Sequence, residues 1–184
     1  MTVVERHMPQ MFSTLSHAEM TELMRRVQNH SRIMLIRAPK VTLFNGQTAT
    51  IQDTVQRPFV VGLQRISLPG QPARHQPRIH VVTEGTTIRL RPVLHDGNCV
   101  RLNCWLSLSS VRNVETTSIP RGAGEEPLAL QVPEVASIHV DTSLDMKLDE
   151  TLLIGGLQQR DTNGKTQGMM VMLTTREIIA EPEP

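Results

Sequence analysis

The chain has 184 residues, 39% of them hydrophobic, which is enough for one ordinary domain with a real core and cramped for two. Its 19 Lys and Arg nearly balance 18 Asp and Glu, so no global field favours nucleic acid or an acidic surface, and a partner has to be recognised locally. Aromatic content is 2%, comprising Phe12, Phe44, Phe59 and Trp105 without any Tyr, which removes both the stacking platforms of single-strand binders and the girdles of a lipid-facing barrel band.

Residues 1–15 read as an irregular N-terminal segment, and Ser16 then opens a helix over 16–29. Glu19 completes an S-x-x-E capping box, and Leu15 is placed to staple onto Met20. Met20, Leu23, Met24 and Val27 follow at i, i+3, i+4 and i+7, a stripe expected to lie on a sheet. From Arg32 the period changes to that of strands. Ile33 to Ile36 is a short apolar run, and Lys40 to Phe44 alternates before Asn45-Gly46, the dipeptide that best tolerates the positive φ of a type I′ turn. The expectation is a hairpin of 40–44 with 47–52, then a strand over 58–68. Pro69, Gly70, Pro72 and Pro77 predict a loop that cannot belong to a central strand.

A long antiparallel hairpin is predicted next, from Thr86 to Leu94 and from Cys99 to Ser109 about the turn His95-Asp96-Gly97-Asn98. Val100, Leu102, Cys104, Leu106 and Leu108 share one face, and Arg101, Asn103, Trp105, Ser107 and Ser109 the other, as in a sheet with one wet side. Pro92 puts the first arm at an edge or a bulge. Residues 119–127 read as a linker. Ala136 to Leu148 then alternates strictly, with Ile138, Val140, Leu144 and Met146 opposed to His139, Asp141, Asp145 and Lys147. Asp149-Glu150 turns the chain into Thr151 to Gln159, Asn163-Gly164 turns it into Gln167 to Thr175, and 181–184 is a polar tail. The fold class is therefore mainly β, an antiparallel meander forming a sandwich or barrel over 16–180 with one N-terminal amphipathic helix.

Chemistry finds little purchase in this pattern. The seven histidines include no H-x-x-x-H pair, so no metal site is expected, and Gly155-Gly156 and Gly122-x-Gly124 lack the Lys and Ser or Thr of a phosphate loop. No G-x-S-x-G elbow surrounds Ser107, Ser109 or Ser110. The expectation is a protein that is not an enzyme and holds no cofactor. His139 shares a face with Asp141 and Asp145, and Arg89, Arg91 and Arg101 approach one another across the hairpin, but a solvated sheet face shows the same residues. Cys99 and Cys104 lie five apart in one strand, so they point to opposite faces and should not pair with each other. No run approaches the roughly eighteen apolar residues of a membrane helix. Glu5, Arg6 and His7 interrupt Met1 to Pro9, so no signal peptide is visible in this chain.

Pro39 to Ile51, Gly85 to Pro92 with Asp96 to Leu102, Glu150 to Leu157, and Met169 to Arg176 make four pieces that, taken in order, resemble the secretin family. Pro39 and the strand after it run into Asn45-Gly46-Gln47-Thr48-Ala49-Thr50-Ile51, similar to the family's Asn-Gly-Gln-x-Ala-x-Ile. Gly85-Thr86-Thr87-Ile88-Arg89-Leu90-Arg91-Pro92 with Asp96-Gly97-Asn98-Cys99-Val100-Arg101-Leu102 is similar to its G-x-x-L-x-V-x-P strand and D-G-x-V-x-L return. Glu150-Thr151-Leu152-Leu153-Ile154-Gly155-Gly156-Leu157 looks like its characteristic octet, and Met169 to Arg176 like its closing strand. The resemblance covers roughly residues 33–178. It implies a structural subunit of an outer-membrane protein secretion or pilus channel, of the type II or type III secretion or type IV pilus class. Its partners would be sister copies in a homo-oligomeric ring and other envelope components, with no nucleic acid and no stable insertion of this chain alone into lipid. The implied location is the outer membrane or periplasm. Between Gln158 and Gln167 the chain has a bare hairpin where the family usually has a longer segment with Pro-Leu-Leu-Gly and Ile-Pro repeats, which keeps open an adaptor that borrows the strand core without making a pore.

Overall fold

The computed structural model describes residues 3–5, 11–30, 38–67, 74–95, 97–120, 127–160 and 165–178. The elements are β1 (Val3–Glu5), β2 (Met11–Leu15), α1 (His17–Gln28), β3 (Ala49–Ile66), β4 (Arg74–His95), β5 (Cys99–Ile119), β6 (Leu128–Lys147), β7 (Thr151–Arg160) and β8 (Thr166–Thr174). They form a five-stranded sheet in the order β1-β6-β5-β4-β3 and a three-stranded sheet in the order β2-β7-β8. All pairings are antiparallel except the short parallel match of β1 to β6 at Val135 to Ser137. The architecture is mainly β and sandwich-like, with one helix and no closed barrel among the described residues.

Alternation decides which face is dry. Val100, Leu102, Cys104, Leu106 and Leu108 of β5 and Val140 and Met146 of β6 point to one side, where they bury against Leu152, Ile154 and Leu157 of β7. Leu106, Leu152 and Ile154 are each 0% exposed, as expected where two apolar sheet faces interdigitate. Both cysteines are free. Cys104 lies in the core and Cys99 on the opposite face of the strand, as their odd spacing requires. The helix begins where expected: Ser16 Oγ accepts the Glu19 N–H at 3.3 Å, and Glu19 accepts the Ser16 N–H at 2.8 Å. Of its stripe only Val27 is buried, and α1 packs beside β2.

Several expectations need correction. The described parts of 1–15 are strands and not irregular, because Val3–Glu5 adds to the edge of β6 and Met11–Leu15 pairs with β7. Their short length and lack of alternation hid them. Lys40 to Phe44 is no strand, and the 40–44/47–52 hairpin does not form; residues 47–52 lead into an 18-residue strand that pairs with β4 instead. Pro77 lies inside β4, not in a loop. The rule about proline still holds, since β4 gains its β5 neighbour only from Gly85 onward and is not central at Pro77. Pro92 likewise falls beyond the last β3 pair, Pro58 sits on the edge strand β3, and Pro133 lies outside the β1 pairing of β6. The 119–127 linker shrinks, because β5 runs to Ile119 and β6 starts at Leu128. Ile33 to Ile36, Pro69 to Pro72, Asp96, Asn163-Gly164 and the 181–184 tail lie outside the described residues.

The large sheet forks. Pairing of β4 with β5 extends only from His95↔Cys99 to Gly85↔Ser109, after which the β3–β4 and β5–β6 hairpins part and stack face to face. Phe59, Val82, Val111 and Val135 close this second, smaller core.

Candidate functional site

The motif residues fall into three structural devices. Asn45, Gly46 and Gln47 make a tight turn that docks on the exposed edge of β4 where β3 has ended. Gly46 N–H donates to the Pro92 carbonyl at 2.8 Å, Leu94 N–H donates to Asn45 Oδ1 at 2.8 Å, and Arg91 Nε donates to the Gly46 carbonyl at 3.0 Å. Gln47 closes the turn from within, its Oε1 accepting the Phe44 N–H at 3.0 Å. The turn residues thus satisfy edge groups that a paired strand would otherwise meet. Pro39 is exposed on the segment leading in.

The second device is a bulge. Between Ile154 and Leu157, β7 carries one residue more than β8, and Gly156 takes φ +76°, a left-handed value that a side chain resists. The extra residue restores the inward phase, so that Leu157 joins Leu152 and Ile154 in the core. Gly155 lies opposite Met11 of β2, and its Cβ position would sit 3.9 Å from the Met11 Cβ. Thr151 opens the strand buried, its hydroxyl 2.7 Å from that of Thr174.

The third device is the fork. Gly85 has φ +129°, and a Cβ there would overlap the Asp53 carbonyl oxygen, so the backbones of β3 and β4 approach at a distance only glycine permits. Beside it the Glu84 carboxylate accepts the Val111 N–H at 2.9 Å and pairs with Arg57 at 3.1 Å, linking the two hairpins where they separate. Arg57 in turn lies 5.5 Å over the Phe59 ring. Gln131 accepts the Val60 N–H at 3.1 Å further out. At the other end of the sheet Gly97 (φ +78°) and Asn98 (φ +65°) turn β4 into β5, and the Asn98 carbonyl accepts the Leu148 N–H at 3.0 Å.

The wet face of the sheet carries the polar residues singled out above. Arg89 lies 5.2 Å over the Trp105 ring, which stacks on His139 at 6.2 Å. Arg101 and Asp145 form a two-bonded pair at 2.8 Å for each bond; those hydrogen bonds hold the Asp145 carboxyl below its usual range and raise the Arg101 guanidinium. The basic residues therefore have separate engagements and do not pool into one patch. On the dry side, burial and the nearby Asp141 charge push the Cys104 thiol up to about 11, which makes it inert. Among the described residues no group of three or more His, Cys, Asp or Glu is placed to hold a metal ion. No described helix is long and apolar enough to cross a membrane.

Two features escaped the sequence reading. Glu84 and Gln131 act across the fork, and nothing local marks them, because their partners lie 27 and 71 residues away. The Gly85 conformation had a signal in a glycine placed inside a β-rich run, which often marks close backbone approach.

The pieces now stand in spatial order, with a docked Asn-Gly-Gln turn, a glycine fork, a hairpin turn and a Gly-Gly bulge on one sandwich. The family model for secretin, the bacterial type II and III secretion system protein, matches residues 26–172. The chain belongs to the secretin family. No curated protein and no solved structure matches it. In this secretin the matched span takes in β3 to β7 and most of β8, and with them both cores. The strands β1 and β2 fall before it, and β2 covers one edge of β7.

Proposed function

We propose that this secretin is a non-catalytic structural subunit of an outer-membrane secretion or pilus channel, working in a homo-oligomeric ring in the cell envelope. The observation that carries this reading beyond family membership is the edge of β8, which is open among the described residues. That strand reads Thr166-Gln167-Gly168-Met169-Met170-Val171-Met172-Leu173-Thr174, with no charge or proline, and it ends the order β2-β7-β8. Natural edges are normally blunted by those residues or covered, so an unblunted one marks a place for another strand. Heterologous contacts of this kind close into a ring when the rotation between copies allows it. The test is light scattering on a size-exclusion column with negative-stain imaging, on the chain alone and with upstream secretin domains restored. Closed rings of one stoichiometry are the expected result, and a monomer in both forms overturns the reading.

The second reading, an adaptor that binds envelope or secretion components without a pore, is favoured by one observation. Arg160 already pairs with Thr166, so only a short connection remains between β7 and β8 where a membrane-facing lip would be inserted. Under either reading the chain alone stays off neutral lipid, and flotation with liposomes measures that directly.

A further inference from the structure

Beyond the fork the stacked hairpins make a two-layer slab, and its two outer faces differ in charge. On the β3–β4 side the outward residues are Pro58, Val60 and Leu63, paired with Val81, Ile79 and Pro77. Ile79 is 61% and Val81 49% exposed, and Arg65 with His75 continues the same face toward the tip. On the β5–β6 side the pairs Asn113↔Glu134, Glu115↔Val132 and Thr117↔Leu130 point outward, with Val132 43% exposed. Arg65, Glu115 and Glu134 have no ion-pair partner among the described residues.

The sequence sharpens the contrast. From Pro58 to Thr83 it contains Arg65, Arg74 and Arg78 and no acidic residue, whereas from Ser110 to Glu134 it contains Glu115, Glu125, Glu126 and Glu134 against Arg112 and Arg121. An exposed apolar patch rimmed by charge marks an interaction surface. Here one chain carries such a patch on one face and, on the opposite face, acidic residues around Val132 and the half-buried Leu130, so the partner whose chemistry fits each is another copy of the chain. We propose that the basic, apolar outer face of the β3–β4 hairpin in one copy docks on the acidic, apolar outer face of the β5–β6 hairpin in the next. The contact is head to tail, brings Arg65 against Glu115 and Glu134, and repeats from copy to copy. It rests on the ring reading only in taking a sister copy as partner, and it uses a surface distinct from the β8 edge.

The test uses the full chain with Cys99→Ser to remove the more accessible thiol. Ile79→Cys and Val132→Cys are introduced in separate proteins and treated with a short bifunctional maleimide. The mixture should give cross-linked dimers, and neither protein alone should. Arg65→Glu should weaken self-association about tenfold in sedimentation velocity, as should Glu115→Arg with Glu134→Arg, and the three changes together should restore it. Melting curves confirm that these surface variants fold. Rings that persist unchanged through the charge reversals, without mixed cross-links, overturn this contact and leave the ring reading standing. A wild-type chain that stays monomeric with its upstream domains present overturns both. Binding to anionic phosphatidylglycerol vesicles that Arg65→Glu abolishes, without self-association, assigns the β3–β4 face to a lipid surface instead.

Discussion

The same four strands are held in two ways along their length. Near the turns at Gly97 and Asp149 they form half of a sandwich, backed by β7 and β8 and sealed by ten buried apolar residues. Past Gly85 no second sheet backs them among the described residues, and Phe59, Val82, Val111, Pro133 and Val135 are buried between the hairpins. Apolar burial scales with the area removed from water, so the first region sets the stability of the fold, while the second is the part able to rearrange at low free-energy cost. Unmatched charge lies in the second region beside the exposed side chains of Val55, Ile66, Ile79, Val81 and Val132, as expected of a surface shaped for contact more than for stability.

The largest effect expected on this contrast is in the sandwich. Leu106→Ala should cost about 2–5 kcal/mol in denaturant melts, the range for emptying a closed core position, whereas Ser107→Ala on the wet face should stay within about 0.5 kcal/mol. Reversal of that order would invert the register of β5. Gly85→Ala comes next, at about 2–3 kcal/mol, because the new Cβ meets backbone that cannot turn aside and φ lies where alanine is strained. Its signature is loss of amide protection on both sides of the fork, with the sandwich amides unchanged.

Glu84→Ala should cost about 1 kcal/mol through loss of a charge-assisted bond to the Val111 N–H. Hydrogen exchange checks it: Val111 should exchange faster while Leu106 does not, and equal acceleration at both would mean that the two regions unfold as one. The smallest effect concerns pH. Asp145 in the fold sits below its ordinary value because of its hydrogen bonds to Arg101. The stabilisation is therefore present above the unfolded carboxylate pKa and is lost as pH falls through the folded one. Carboxyl NMR titration should show the Asp145 value rising in Arg101→Ala; an unmoved curve would mean that the pair does not form in solution. On α1, Glu22 is held down at about 2 by Arg25 and then Arg26, and its contribution disappears on the same acid side.

Legibility followed the same division. The sandwich could be read from the sequence because strict alternation in Val100 to Leu108 and Ile138 to Met146 reports burial on one side only, and the helix because Ser16 and Glu19 form a local cap. The distal hairpins alternate less cleanly. Each has a bulge, at Val60/Gly62 and at Val111/Asn113, and each is interrupted by proline, so the start of β4 as far as Pro77 looked like a loop. The Asn-Gly signal at 45–46 correctly marked a turn, but its partner was the edge of β4, 45 to 49 residues away, and not the next strand. The motif residues were recognisable as a set, while the hydrogen bonds that give each its place depend on pairings that no local pattern records.

The length of the hairpins has a mechanical consequence. From Gly85 to Arg74 the strand extends about 35 Å at roughly 3.3 Å per residue. Treated as a stiff arm pivoting at the fork, it carries its tip about 0.6 Å for every degree of rotation. A change of about ten degrees, spread over a few backbone torsions around Gly85, therefore displaces Arg65 and His75 by about 6 Å, more than the spacing between neighbouring strands. The tips are thus far more sensitive to angle than the joint that sets it, and a probe attached at Arg65 would report small changes at Glu84 with built-in gain.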